Sequence, residues 1–197
     1  MSTPITIDFT GVKALTDLAQ EFPRAAIRAL NRTGRAAEVQ ANAEIRKTWN
    51  LTRRDVDKSI FHRIAGVNRI SARGVMEYRI WAKGARVAWI RFNPRQTRAG
   101  ISIMIRKGGR KQVRSAFIPQ MPTGHMGVFV RKGAKRRMTK GRYASSTALR
   151  QPIVERRTIS VAEMFGAQSV RKRLDEFVGV KLVEEMNAQV SFIRMGK

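Results

Sequence analysis

Two short segments near the middle of the chain concentrate Lys and Arg side chains. The segment RKGAKRRMTKGR, from Arg131 to Arg142, has seven basic residues in twelve positions and no acid. The earlier segment RKGGRK, from Arg106 to Lys111, has a similar composition. Such side chains bind phosphates, anionic membranes or acidic protein surfaces through charge, and they need no fixed spacing to do so. Both segments therefore indicate a negatively charged partner.

Residues suited to catalysis or metal binding are scarce. The chain has no cysteine and two histidines, His62 beside apolar neighbours and His125 in a turn-like stretch. Asp55 and Asp57 are two positions apart and do not share a helix face, and the serines at 145–146 have no acid or base nearby in sequence. No phosphate-binding glycine loop is present. The sequence predicts that the protein is not an enzyme, and it predicts no cofactor and no metal site.

The positive charge is unevenly distributed along the chain. Of the formal charge of +26, residues 51–150 carry +22, whereas residues 1–50 and 151–197 carry +2 each. No acid occurs between Glu77 and Glu155. This excess is larger than solubility requires, so we expect the middle of the chain to face a negative partner.

Both basic segments are predicted to be long exposed loops that leave the same sheet. Mixtures of Gly, Ser and Lys at the end of a hairpin do not bury themselves. Together with nearby cations, the two loops are expected to form one electrostatic surface that contacts DNA or a protein partner. Its predicted members are Arg106, Lys107, Arg110, Lys111, Arg114, Arg131, Lys132, Lys135, Arg136, Arg137, Lys140 and Arg142.

Three interpretations of this surface stay open: nucleic acid, an acidic protein partner, and a face that only keeps the protein soluble. Few aromatic residues lie near the basic segments: Phe117, Phe129 and Tyr143. The sequence therefore offers few side chains that could stack on the bases of a single-stranded nucleic acid. DNA contacts would then go to the backbone without sequence readout. A membrane partner is disfavoured, because the predicted helices are the charge-balanced parts and no signal peptide or membrane span is evident.

Residues 10–65 are predicted to be helical. Apolar residues at helical spacing favour a first helix from Thr10 to Phe22 and a second from Pro23 to about Trp49. Gly34 and several Ala residues leave the apolar stripe of the second helix shallow, so that a helix or sheet approaches it closely. The capping box TRRD, at Thr52, opens a short helix that ends near Phe61.

The end of the chain is predicted to be a C-terminal helix over residues 160–195. Ser160 and Glu163 form a capping box, and apolar residues then recur at steps of three and four. Gly166 or Gly179 interrupts this helix.

Residues 70–158 are predicted to be β-rich. VMEYRIWA, RVAWIRF and ISIMIRKG have the alternation typical of strands, and turn residues separate them. AFIPQM and MGVFVRKG follow as further strands, and Pro119 places the first of these at an edge or bulge. Together they predict a meander of four to six antiparallel strands.

These elements predict an α+β fold. The N- and C-terminal helices pack on a basic antiparallel β-sheet with long exposed basic loops. The expected organisation is a single domain spanning residues 1–197.

Three stretches carry a resemblance to a known family. They are the Ala-rich helix with ALNRT near its start, the strand–turn–strand SAFIPQMPTGHMGVFVRKG, and QPIVERRTISVAEMF before the last helix. In this order they resemble the minor tail protein Z family of long-tailed, lambda-like bacteriophages, also called tail completion proteins. The resemblance extends from about Val12 to Met195. The aligned positions are Ala29, Leu30, Asn31, Arg32, Ala116, Phe117, Ile118, Val128, Phe129, Val130 and Arg131.

The resemblance implies a structural virion protein at the head-proximal end of the tail, which completes the tail and joins it to the head and connector. It implies the tail terminator, tail tube, tape measure and head-tail connector proteins as partners, and non-specific contact with packaged DNA. The resemblance assigns no active site, and it places the chain in the host cytoplasm during assembly and in the virion tail afterwards. Because the tail is rotationally symmetric, we expect a homo-oligomeric ring. The alternative is a non-specific nucleic-acid-binding protein of nucleoid-like or ribosomal type, because size and charge fit that class as well.

Overall fold

The chain folds into two compact units. A computed structural model describes residues 22–66, 76–140 and 144–195, and the backbone alone of residues 5–8. We call the first unit the helical unit; it comprises Met1–Thr48, Thr52–Ala85 and Ser160–Lys197. The second, which we call the basic unit, comprises Trp49–Leu51 and Arg86–Ile159.

Charge divides sharply between the two units. The basic unit contains 19 Lys or Arg residues and one acid, Glu155, for a net +18. The helical unit contains the other 21 basic residues and 13 acids, for a net +8. The positive charge that the sequence places in its middle is therefore concentrated in one folded unit.

The described residues of the helical unit include four helices, and the two longest of these pack against each other. They are α1 (Pro23–Thr48), α2 (Arg53–Asp57), α3 (Val161–Phe165) and α4 (Gln168–Arg194). Leu30 of α1 packs with Leu182 and Met186 of α4, and burial of each such side chain contributes about 1.5–3 kcal/mol. Periodicity predicted α1 correctly, since its apolar and small residues face α4.

Caps and glycines set the helix ends as the sequence predicts, with one refinement. The Ser160 hydroxyl accepts from the Glu163 amide at 3.2 Å, and the Glu163 carboxylate accepts from the Ser160 amide at 2.6 Å. The helix then breaks at Gly166, so α3 and α4 are separate. Gly179 lies inside α4 without interrupting it. The helix predicted to begin at Thr10 falls outside the described residues, apart from Phe22.

The Thr52 hydroxyl accepts from the amide of Asp55 at 3.2 Å and caps α2, as predicted. The predicted end of this helix near Phe61 is wrong, because Ile60–Arg63 forms a strand, β2. Pairing with a neighbouring strand, which local sequence does not reveal, overrides the helical pattern there.

The helical unit also contains a three-stranded antiparallel sheet. Its strands are β1 (Ile5–Asp8), β2 and β3 (Arg79–Ala82), in the order β1-β3-β2. Tyr78, Ile80 and Ala82 are fully buried on one face, as their alternation predicts. A Cβ at Gly34 of α1 would overlap the ring of Tyr78, so the glycine permits the predicted close approach of helix and sheet.

The described residues of the basic unit form two three-stranded antiparallel sheets, with the strand orders β5-β6-β7 and β10-β9-β8, and a two-stranded sheet, β11-β4. The antiparallel pairing is as predicted, but the strands do not form one meander. β8 is an edge strand, in agreement with Pro119 just beyond it. The strands are β4 (Arg86–Ala88), β5 (Arg95–Thr97), β6 (Gly100–Ile103), β7 (Lys111–Arg114), β8 (Ala116–Phe117), β9 (Phe129–Arg131), β10 (Ile153–Glu155) and β11 (Arg157–Ser160).

The stretch RVAWIRF departs from its predicted strand. It forms β4 and then a 3-10 helix over Trp89–Phe92, which ends at Asn93 in the left-handed region, with φ 49°. At three residues per turn, Trp89 and Phe92 lie on the same side. Both are buried there, so the 3-10 turn directs two aromatic side chains inward where a strand would separate them.

Candidate docking surface of the basic unit

The first basic segment is folded into a hairpin. Lys111–Arg114 forms β7 and pairs with Gly100–Ile103 of β6. The prediction of an exposed loop over this segment and the QVRS that follows it is wrong for Lys111–Arg114, which is a strand with a paired backbone. Its side chains stay exposed except that of Val113, which is half-buried.

A cleft of about 550 Å³ lies against this hairpin. Its lining has two parts that differ in exposure. Trp89 and Ile103 are buried and Ile105 and Val113 are half-buried, so these apolar side chains form the floor. The other lining residues are exposed and form the rim: Arg106, Lys107, Gly108, Gly109, Arg110 and Lys111.

Two arginines of the rim are held in place by groups that carry no negative charge. The Arg110 guanidinium donates to the Ser102 hydroxyl at 3.0 Å, to the Ser102 carbonyl at 2.6 Å and to the Asn93 carbonyl at 3.0 Å. The Arg106 guanidinium lies 5.9 Å from the ring centre of Trp49. These contacts fix position without neutralising charge.

The single acid of the basic unit is already engaged. The Glu155 carboxylate accepts from Arg157 Nη2 at 2.8 Å, and His125 Nε2 lies 3.3 Å from it. The hydrogen bonds from Arg157 are the largest influence, and they hold the pKa of Glu155 below its usual value, with His125 acting in the same direction. Glu155 is thus engaged by two side chains of its own unit, Arg157 and His125.

The second basic segment is also tied down in part. The Lys132 amide donates to the Pro152 carbonyl at 2.9 Å, and Arg136 and Arg150 exchange backbone hydrogen bonds at 3.0 and 2.9 Å. A smaller cleft, of about 310 Å³, lies along this pairing. It is lined by Lys132, Gly133, Ala134, Arg136, Pro152 and Val154.

The twelve predicted surface residues divide between two sheets. The prediction that both segments leave the same sheet is wrong, since the first belongs to β5-β6-β7 and the second follows β9 of β10-β9-β8. Four members share the larger cleft and two line the smaller one, while Arg142 lies outside the described residues. The exposed members are Arg106, Lys107, Arg110, Lys111, Arg114, Arg131, Lys132, Lys135, Arg136, Arg137 and Lys140.

Aromatic rings in this unit are covered by the chain itself. The Arg131 guanidinium lies 5.0 Å from the ring centre of Phe117, and that of Arg156 lies 5.0 Å from that of Trp89. Phe129 is buried. In the described part of the basic unit no Phe, Tyr or Trp side chain is exposed, so none of these rings offers an open surface on which a base could stack; the His125 ring is exposed.

The apolar floor of the larger cleft was not predicted. The alternation of Ile101, Ile103 and Ile105 indicated a buried face. It did not indicate that the half-buried Ile105 side chain lines a cleft. Trp89 joins the floor through the 3-10 turn, which period-2 patterning missed.

Each histidine lies beside one glutamate. His62 Nδ1 lies 2.8 Å from the Glu38 carboxylate in the helical unit, and its ring stacks on Tyr78 with centroids 5.9 Å apart. Over the described ranges, no three His, Cys, Asp or Glu side chains lie close enough together to hold a metal ion. No helix among the described residues is long and apolar enough to cross a bilayer.

Comparison with protein families gives a match over nearly the whole chain. Residues 9–193 match the family described as prophage minor tail protein Z (GPZ). The chain belongs to this family. No match was found among curated proteins or among solved structures. A minor tail protein is a structural component of the bacteriophage virion, and it interacts with other tail or head proteins.

The positions that resemble the minor tail protein Z family build the frame of the protein. Asn31 donates to the Ala65 carbonyl at 3.1 Å and accepts from the Ala65 amide at 2.9 Å, which fastens α1 to the chain beyond β2. Arg32 of α1 lies 3.6 Å from Glu185 of α4. In the β8–β9 ladder, Ala116 pairs with Val130 and Phe117 pairs with Phe129. Within each unit, these positions make packing contacts, hydrogen bonds or strand pairings.

Proposed function

We propose that this minor tail protein acts at the head-proximal end of the tail, where it completes the tail and joins it to the head and connector. Its proposed partners are the tail terminator, tail tube, tape measure and head-tail connector proteins. The chain acts as one tail-completion domain spanning residues 1–197, in a homo-oligomeric ring that forms in the host cytoplasm. It has no catalytic duty.

The observation that carries this proposal is the concentration of unneutralised charge in the basic unit. All eleven described members of the predicted surface are exposed, and the only acid of the unit is bound to Arg157 and His125. The end of a tail next to a filled head presents packaged DNA and acidic protein rims. A net charge of +18 on one unit favours docking to either.

A free nucleic-acid binder of nucleoid-like or ribosomal type is the weaker alternative. Membership in a tail protein family argues for a virion role. Because Arg131 and Arg156 lie over the rings of Phe117 and Trp89, nucleic acid would be bound through contacts between Lys or Arg side chains and its phosphate backbone.

The position is tested by mass spectrometry of separately purified tails and heads, and by gold labelling of an epitope-tagged chain in electron micrographs. We expect the chain in tails and the label at the end that joins the head. Label along the tail tube or at the distal tip would overturn the head-proximal proposal.

The role of the charge is tested with a variant in which four cations of the second basic segment become Gln. We expect it to reduce the yield of joined, infectious particles, because docking to a negative neighbour weakens. Normal yield at physiological salt contradicts the proposal. The substitutions are Lys132→Gln, Lys135→Gln, Arg136→Gln and Arg137→Gln.

A matched control removes the same number of charges from exposed positions of the helical unit. It is expected to assemble normally, since the charge lost lies outside the basic unit. The control substitutions are Arg24→Gln, Arg28→Gln, Arg171→Gln and Lys172→Gln.

A further inference from the structure

The larger cleft of the basic unit combines two kinds of lining that a simple charged surface does not need. Its floor is apolar and shielded: Ile103 is 2% exposed and Trp89 is 9% exposed. Its rim is cationic and exposed, with Arg106, Lys107 and Lys111 on it. A ligand that fills both parts needs negative charge and an apolar group side by side.

The rim charges are available to such a ligand. Arg110 is oriented by Ser102 and Asn93 through a hydroxyl and two carbonyl oxygens, and a guanidinium held this way keeps its full charge. Glu155, the only acid in the unit, is engaged by Arg157 and His125. An incoming carboxylate therefore displaces no internal ion pair from the rim.

The cleft suits a side chain better than a base. A volume of about 550 Å³ accommodates one or two side chains with part of their backbone. Non-specific binding of single strands relies on exposed aromatic faces, and the Trp89 ring is buried and faces Arg156. The aliphatic side chains of Ile105 and Val113 can pack against an apolar side chain, but they provide no aromatic ring on which a base could stack.

We propose that this cleft binds a short acidic peptide segment that carries an apolar side chain, presented by a neighbouring tail or head protein. The apolar side chain packs on Ile105 and Val113, and flanking carboxylates pair with Lys107, Lys111 and Arg106. This inference deepens the proposed function and rests on it, because it names the chemistry of one partner of the tail protein.

The test measures binding of two labelled heptapeptides to the purified full chain by fluorescence anisotropy at physiological salt. The first is Asp-Glu-Asp-Phe-Asp-Glu-Asp, and the second replaces Phe with Gly at the same charge. We expect the Phe peptide to bind about tenfold more tightly, because burial of its ring adds to a common electrostatic attraction. Equal affinities would overturn the proposal.

Variants of the floor separate packing from charge. Ile105→Ala with Val113→Ala is expected to remove most of the preference for the Phe peptide and leave the affinity for the Gly peptide unchanged. The matched control, Ile153→Ala with Val154→Ala, removes two exposed apolar side chains of the same unit outside this cleft and is expected to keep the preference. Equal loss in both variants contradicts the assignment.

Variants of the rim keep the proposal testable if the floor variant does not fold. Lys107→Gln with Lys111→Gln changes only exposed side chains and is expected to weaken both peptides several-fold. Lys132→Gln with Lys135→Gln, outside the cleft, removes the same charge and is expected to weaken them less. Far-UV circular dichroism and urea unfolding check that each variant is folded.

A labelled oligodeoxythymidylate is the competing probe. If its affinity falls with the floor variant as that of the Phe peptide does, the cleft binds nucleic acid and the peptide proposal is wrong. Failure here is distinguishable from failure of the proposed function. A chain found in tails that shows no peptide preference overturns only this inference, whereas its absence from tails overturns the function itself.

Discussion

The Nε atom of Arg173 lies 2.6 Å from a carboxylate oxygen of Glu44, and this ion pair joins α4 to α1. The contact is charge against charge, since the N–H does not align with the oxygen as a hydrogen bond. The Glu44 side chain is 1% exposed. Its other oxygen accepts hydrogen bonds from Gln40 Nε2 at 2.8 Å and from Lys47 Nζ at 2.5 Å. A buried carboxylate is costly unless donors and opposite charges surround it. Here α1 supplies the two hydrogen-bond donors and α4 supplies a positive charge.

Removal of the Arg173 partner is expected to destabilise the helical unit. Arg173→Ala leaves Glu44 buried without the positive charge beside its second oxygen, and we expect the free energy of unfolding to fall by about 1–3 kcal/mol. Urea unfolding followed by circular dichroism measures it. Arg171→Ala, an exposed position of the same helix, is the control, and equal effects of the two substitutions would show that the ion pair contributes nothing.

Two glycines of the long helices are expected to respond in opposite directions to Ala. At Gly34 the new Cβ overlaps the fully buried Tyr78 ring, and overpacking of this kind costs about 1–3 kcal/mol. At Gly179 the Cβ meets open space, and the gain in helix propensity is about 0.5–1 kcal/mol. Thermal unfolding of Gly34→Ala and Gly179→Ala should therefore shift the midpoint down and up, respectively. A stabilising Gly34→Ala contradicts the packing described here.

Stability is expected to fall at high pH because of Tyr78. Burial is the main cause that raises the pKa of this phenol above its ordinary value of 10.0, and its hydrogen bond to Glu38 adds to the effect. Since the folded pKa is raised, the contribution to stability is complete below pH 10 and is lost progressively as the pH rises further. Tyr78→Phe should flatten this decline, measured as the difference in urea midpoint between pH 8 and pH 11. An identical decline in both proteins would exclude Tyr78 as the cause.

A second pH effect is expected at the acid end. Arg157, with a smaller effect of His125, lowers the pKa of Glu155 from its ordinary value of 4.5. Because the folded pKa is depressed, the carboxylate contributes stability above pH 4.5 that is lost as the pH falls through the folded value. Glu155→Gln should therefore be less stable than the natural protein at pH 7 and equally stable near pH 2. A difference that stays constant between these pH values refutes the assignment.

The long helices were predictable because their signals are local. Apolar spacing runs through α1 and α4, and the Ser160 cap needs only a residue three positions away. The strands were less predictable. Lys111–Arg114 has a charged, loop-like composition and becomes a strand only because it pairs with β6. Such pairing depends on residues distant in sequence, which propensity does not encode.

The candidate surface divides in the same way. Exposure of the cations followed from charge, because Lys and Arg seldom bury without partners. The cleft did not follow, because Trp89 and Ile105 meet the Lys107 loop only after the 3-10 turn and the hairpin have formed. The composition of the sequence therefore could not predict which side chains form the apolar floor of the cleft.

The near absence of acids from the basic unit has a further consequence for a particle that leaves its host. Lys and Arg hold their protons far above pH 9, and Glu155 and His125 are the only carboxylate and imidazole side chains in the unit's sequence. The charge of this unit therefore barely changes between mildly acidic and mildly alkaline surroundings. Salt screens exposed charges over roughly 8–10 Å at 0.10–0.15 M. We therefore expect ionic strength, more than pH, to set the affinity of this unit for a negative partner. The proposed docking of this unit to a negative partner is therefore expected to tolerate changes in pH and to weaken at high salt.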